Sequence, residues 1–99
     1  MRFVIFGLTL LLVCCFNTMV LASTADGIAA YTAGNYEKAA ELLEPEAQNG
    51  DVQAQYTLGE MYLNGQGVPL DRDKAMQFFK ASADGGYGPA KYKVEVLSK

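Results

Sequence analysis

Residues 50 to 56 read Gly-Asp-Val-Gln-Ala-Gln-Tyr, and residues 86 to 92 read Gly-Tyr-Gly-Pro-Ala-Lys-Tyr. The glycine, the alanine and the tyrosine return after 36 positions. Stepping back by the same 36, Lys74-Ala75 falls on Lys38-Ala39, Phe78-Phe79 on Leu42-Leu43, and Ala83 on Ala47. A fixed period of this size marks a solenoid of stacked helix pairs, because one pair cannot bury its apolar face alone. The period therefore predicts an all-α chain: a short right-handed α-solenoid of antiparallel helix hairpins.

The stretch from Asp51 to Gly86 is one complete unit. Ala54, Leu58, Met61 and Tyr62 share one face at helical spacing. Asp51 stands just before them, where a helix wants an N-cap, and Gly65 just after, where a left-handed C-terminal position is wanted. The loop Gly65-Gln66-Gly67-Val68-Pro69-Leu70 follows, and Asp71 is the next candidate cap. The second helix places Ala75, Phe78, Phe79, Ser82 and Ala83 on one face before Gly85-Gly86 stops it. Small residues (Ala54, Gly59, Ala75, Ala83) let the helices approach, and large ones (Leu58, Tyr62, Phe78, Phe79) fill the space between.

The neighbouring segments follow from this unit. Residues 23–50 form a first unit, with a helix over Ser23 to Ala33, a turn at Gly34-Asn35, and a helix from Tyr36 to Asn49 capped by Asn35. Ala39, Leu42, Leu43 and Ala47 face inward there, and Pro45 predicts a kink near Glu41 to Pro45. Residues 87–99 form a last helix, with Pro89 at its first position. Aligned by 36, Gly59 becomes Glu95 and Tyr62 becomes Ser98, so no further helix is expected to dock there. This helix is a cap, packing backward through Ala90, Val94 and Leu97 with Glu95 and Lys99 in water.

Residues 1–22 differ in kind. Arg2 precedes an apolar run from Phe3 to Cys15, and the segment closes on Val20-Leu21-Ala22. That is the pattern of a secretory signal peptide cleaved after Ala22, which implies a periplasmic or secreted protein. The alternative is a retained membrane anchor, since Phe3 to Ala22 is nearly long enough to span a bilayer. Val13 before Cys14, and Cys14 before Cys15, do not suit lipidation.

Residues 23–99 hold seven basic and eleven acidic residues, a formal charge of −4. A nucleic-acid binder needs a basic stripe, and docking on anionic lipid needs positive charge, so neither partner is expected. Any membrane contact is through an uncleaved leader. Both cysteines lie in the leader and the chain has no histidine. That removes disulfides, thiolate metal sites and the commonest general base from the body; no cofactor, metal or catalytic residue is expected.

Gly65-Gln66-Gly67 lacks the lysine and hydroxyl of a phosphate-binding loop and has no strand before it, so it reads as an inter-helix turn. Asp71 caps a helix, and Asp73 complements its positive end. Glu41, Glu44 and Glu46 read as a solvated run. Tyr56 and Tyr92 stand apart: they hold equivalent positions, off the face that packs inside the hairpin. With Gln53, Glu60 and Lys93 they line the side that helical solenoids use as a binding groove, where tyrosine is a favoured anchor. The other reading is that both tyrosines pack between adjacent units.

The run Ala54-x-x-x-Leu58-Gly59-x-x-Tyr62-x-x-Gly65-x-Gly67-Val68-Pro69-x-Asp71-x-x-Lys74-Ala75-x-x-Phe78-Phe79-x-x-Ser82-Ala83-x-x-Gly86 resembles a Sel1-like repeat, a relative of the tetratricopeptide repeat. It departs at Phe78, where the family usually has Trp, and at Ser82, often Ala. The first unit (Gly27…Tyr31-x-x-Gly34-Asn35-Tyr36-x-x-Ala39) is closer to a tetratricopeptide pattern. The resemblance implies a non-catalytic adaptor that holds a protein or peptide partner, and with the leader it implies the bacterial envelope. Two other roles are open: an immunity or inhibitor protein that binds a toxic enzyme, and a cell-wall hydrolase working through Asp71 and Asp73.

Overall fold

The computed structural model describes residues 24–99. The leader and its cleavage point therefore lie outside the described residues. The described chain is five helices: α1 (24–32), α2 (Tyr36–Gln48), α3 (Val52–Asn64), α4 (Arg72–Asp84) and α5 (Gly88–Leu97). Each packs on the next, α2 on α3, α3 on α4 and α4 on α5. The result is the short all-α solenoid that the period predicts.

The caps explain why helices begin where they do. The Asp51 carboxylate accepts the Ala54 N–H at 2.9 Å, and the Asp71 carboxylate accepts the Lys74 N–H at 3.0 Å. Each satisfies one of the donors that a helix start leaves free. Asn35 precedes α2 without such a bond; its backbone closes the turn, its N–H donating to the Ala30 carbonyl. α5 starts one residue before Pro89, at Gly88. Proline is tolerated there because the first helical N–H groups have no intrahelical acceptor.

The 36-residue step is written in the backbone hydrogen bonds as well as in the side chains. After α2, the Gly50 N–H donates to Ala47 and the Asp51 N–H to Glu46; after α4, the Gly86 N–H donates to Ala83 and the Tyr87 N–H to Ser82. Gly50 and Gly86 have φ of 95° and 97°, which a residue with a Cβ rarely adopts. One turn geometry thus sets both even-to-odd connections.

α2 continues through Pro45, from Tyr36 to Gln48. The lost bond is the one Pro45 would have donated to Glu41, a single rung in a helix whose other face is held by buried Ala39, Ala40, Leu43 and Ala47. The core continues through Ala54, Leu58, Met61, Tyr62, Ala75 and Phe79. Leu42, Phe78 and Ala83, expected inside, are only partly buried, so the inward stripe is narrower than the apolar pattern. Buried Ser82 fits because its hydroxyl donates to the Val52 carbonyl at 2.7 Å, tying α4 to the start of α3.

α5 covers the end of the array as the alignment predicts. Ala90 is fully buried, Val94 and Leu97 pack on the core, and Glu95 and Lys99 are exposed.

Candidate functional site

The odd-numbered helices carry one face of the solenoid. On α3, Gln53, Tyr56 and Glu60 follow one another at steps of three and four and share a stripe. Lys93 of α5 reaches back across that stripe, its Nζ 2.8 Å from Glu60 Oε1. The same ammonium lies 5.8 Å from the centroid of the Phe79 ring. The ion pair is partly shielded from water, so it joins the last helix to the complete unit more firmly than an exposed pair would.

The structure separates the two equivalent tyrosines. Tyr56 sits between aromatic neighbours, 5.5 Å from the Phe79 ring and 5.3 Å edge-on from the Tyr87 ring. Burial and then the nearby Glu60 carboxylate push its phenol up to about 12. Tyr92 is 70 % exposed. The difference is positional: Tyr56 meets Tyr87 at the start of α5, and no helix after α5 is among the described residues. Gln53 is exposed, while Glu60 and Lys93 hold each other. Tyr56, Glu60 and Lys93 thus form one cluster; Gln53 and Tyr92 are exposed residues of the same two helices, α3 and α5.

One member of this face is not singled out by the repeat. Tyr31 of α1 donates its hydroxyl to Gln66 Oε1 at 3.3 Å, and its ring lies 5.5 Å from that of Tyr36. Burial and then the Glu60 carboxylate raise its pKa. The loop after α3 therefore leans on the first unit. Gly67 (φ 73°) confirms the contact: a Cβ there would stand 2.6 Å from the Tyr36 carbonyl carbon. Tyr31 escapes the 36-residue alignment because the first loop is shorter than the second.

The other face, carried by α2 and α4, has its own polar chain. Tyr62 donates its hydroxyl to Glu44 Oε1 at 3.0 Å, stacks on Phe78 at 5.7 Å, and has Lys74 Nζ 4.8 Å from its ring centroid. Glu44 is thus an acceptor between units, not part of a solvated run. The Asp71 carboxylate is used as a cap, and Asp73 lies exposed in the first turn of α4.

Comparisons with known proteins agree with this architecture. The Sel1 repeat matches at residues 25–51 and again at 52–87. The search of curated proteins and the search of solved structures returned no match. The two matched segments cover most of the chain and coincide with the two helix hairpins, α1–α2 and α3–α4. The chain belongs to the Sel1 repeat family, whose repeats generally mediate protein–protein interaction.

Proposed function

We propose that the chain is a non-catalytic adaptor, exported into the bacterial envelope or beyond, that holds a protein or peptide partner on the face built by α1, α3 and α5. The single observation that carries this reading is Tyr92. It is a large aromatic side chain, 70 % exposed, and next in sequence to Lys93, whose ammonium pairs with Glu60. Leaving such a ring in water gains nothing for folding, whereas aromatic residues are the usual anchors of interfaces. Tyr56 then supports the surface from beneath, and Glu60 and Lys93 offer one charge of each sign for orienting a partner.

The export part of the reading rests on the Arg2, apolar-centre and Val20-Leu21-Ala22 pattern. Mass spectrometry of the native protein tests it: an N-terminus at or near Ser23 supports it, and an intact Met1 on a membrane-bound chain overturns it.

The experiment for the surface is site-specific photocrosslinking from position 92 in the native envelope, followed by identification of the captured chain. A partner lost on Lys93→Glu supports the adaptor. Capture of a toxic enzyme whose activity the protein suppresses would instead make it an immunity protein. Peptidoglycan cleavage that disappears in an Asp71→Asn, Asp73→Asn double variant would make it a hydrolase.

A further inference from the structure

We propose that the cleft between α2 and α4 is a second binding site, independent of the α1–α3–α5 face, and that it takes an indole: a tryptophan side chain of a partner peptide. The cleft has a volume of about 220 Å³. Its apolar walls come from Ala47, Phe78 and Ala81; Gln55 of α3 also lines it, and the exposed side chains of Gln48, Lys74 and Gln77 complete it.

Gln55 is the reason to expect a ligand. It is 9 % exposed, and its Nε2 donates to the Ala47 carbonyl at 3.0 Å. A carbonyl oxygen only accepts, so this bond fixes which end of the amide points where; the group cannot flip. Its Oε1 is buried and has no hydrogen-bond partner. Buried acceptors are nearly always satisfied, and an exception asks for a missing donor.

The surroundings select the donor. A carboxylate has no hydrogen to give at neutral pH. A cationic donor would enter an apolar cleft beside the Lys74 ammonium, paying desolvation and meeting like charge. A phenol gives a hydrogen too, but its single ring fills less of the cleft than two fused rings do. An indole has one N–H, no acceptor, and an apolar body. The cleft exceeds the volume of on the order of 150 Å³ that holds benzene in an engineered core, so two fused rings fit where one ring fits the smaller space. The half-buried Phe78 ring offers an aromatic neighbour, and Lys74, already over the Tyr62 ring, offers a cation to a second π-face. The chain contains no tryptophan, so the indole comes from another molecule. Oε1 is shielded as the side chains stand, so binding requires those at the rim to move, and Lys74 and Gln77 are exposed, long and unbranched.

The test is a pair of titrations of the isotope-labelled protein, followed by nuclear magnetic resonance, with indole and with 1-methylindole. The two differ by the hydrogen that Gln55 is proposed to accept. Indole is expected to shift the Gln55 side-chain amide together with Phe78 and Ala81, and 1-methylindole to bind at least about tenfold more weakly. Ala81→Phe, which fills the exposed wall of the cleft, is expected to abolish the indole shifts while the spectrum stays that of a folded protein. Equal binding of the two probes overturns the proposal. So do shifts gathered around Tyr56, Tyr92 and Lys93, or no shifts up to the solubility of indole, the result expected if only water serves Oε1.

Discussion

Gly59 stands where the edge of the Phe79 ring needs its space. A Cβ at Gly59 would lie 2.6 Å from Phe79 Cε1 and 2.8 Å from Cδ1, inside any contact that real carbons make. The first unit repeats the device, since a Cβ at Gly27 would lie 2.6 Å from Leu43 Cδ2. Each pair sets how closely an odd helix approaches the even helix that follows it, and Leu43 and Phe79 are themselves 36 residues apart. The third unit breaks the pattern with an exposed Glu95.

Gly59→Ala is therefore expected to destabilise the fold, by about 1 to 3 kcal/mol for an overpacked core. The ring cannot retreat freely, because Tyr56 lies against it and Lys93 over it. Phe79→Leu should relieve part of the cost, so a double-mutant cycle in urea should show a coupling well away from zero. Additive effects would mean that the glycine and the ring do not set each other's position.

Phe79 is fully buried at the junction of α3, α4 and α5. Phe79→Ala should cost about 3 to 5 kcal/mol through the cavity it leaves. Ala75→Leu, at a fully buried position of α4, should cost about 1 to 3 kcal/mol by overpacking. Thermal melts in which either variant matches wild type would refute the packing described for this hairpin.

Pro45 gives a prediction of opposite sign. It lies inside α2, is exposed, and removes one helical hydrogen bond. Pro45→Ala should return the N–H that Glu41 lacks and remove the ring from the helix wall. A gain of about 1 to 3 kcal/mol in denaturant unfolding is expected, up to the full helix-interior difference between the two residues. No gain would mean that the following turn, where the Asn49 N–H donates to the Pro45 carbonyl, depends on the proline's fixed φ.

α5 closes the array, so its loss should be severe. It buries Ala90, presents Val94 and Leu97 to the core, and brings Lys93 over Phe79. Deleting residues 88–99 should expose the α4 face and give aggregation or a molten state, because two hairpins alone are near the minimum for independent stability. A truncated protein that stays monomeric with an unchanged melting temperature would show that α5 is not a cap.

The fold was legible because its signals are local and repeated. Asp51, Gly65, Asp71 and Gly86 each mark a helix end by backbone chemistry that does not depend on distant contacts. The candidate surface was legible only in outline. Tyr56 and Tyr92 are equivalent in sequence, but their burial depends on whether another unit follows, which a repeat alignment cannot encode. Gln55 and Glu44 were not legible at all. A glutamine among polar neighbours in a helix looks solvated, and only the arrival of α2 and α4 over it turns its amide into a buried group with a free acceptor. Leu42 and Phe78 misled in the other direction, since an apolar pair at a repeat position shows which stripe faces inward but not how wide that stripe is.

Tyr56 also makes stability depend on pH in the alkaline range. Its phenol has an ordinary value of 10.0 and is pushed up to about 12 in the folded chain, first by burial and then by the Glu60 carboxylate. A raised folded value means that between pH 10 and about 12 the unfolded chain loses a proton that the folded chain keeps. The stabilisation is fully present below pH 10 and is lost as pH rises through about 12. Tyr31 and Lys74 have raised values as well and act in the same direction. The urea midpoint should therefore fall from pH 9 to pH 12, and Tyr56→Phe, which keeps the ring between Phe79 and Tyr87 but removes the titrating hydroxyl, should fall less steeply. The comparison isolates the phenol because the two proteins differ only by its hydroxyl. If the two profiles run parallel, Tyr56 is not shielded beside Glu60 as described, and the cluster on the α1–α3–α5 face is looser than its geometry indicates.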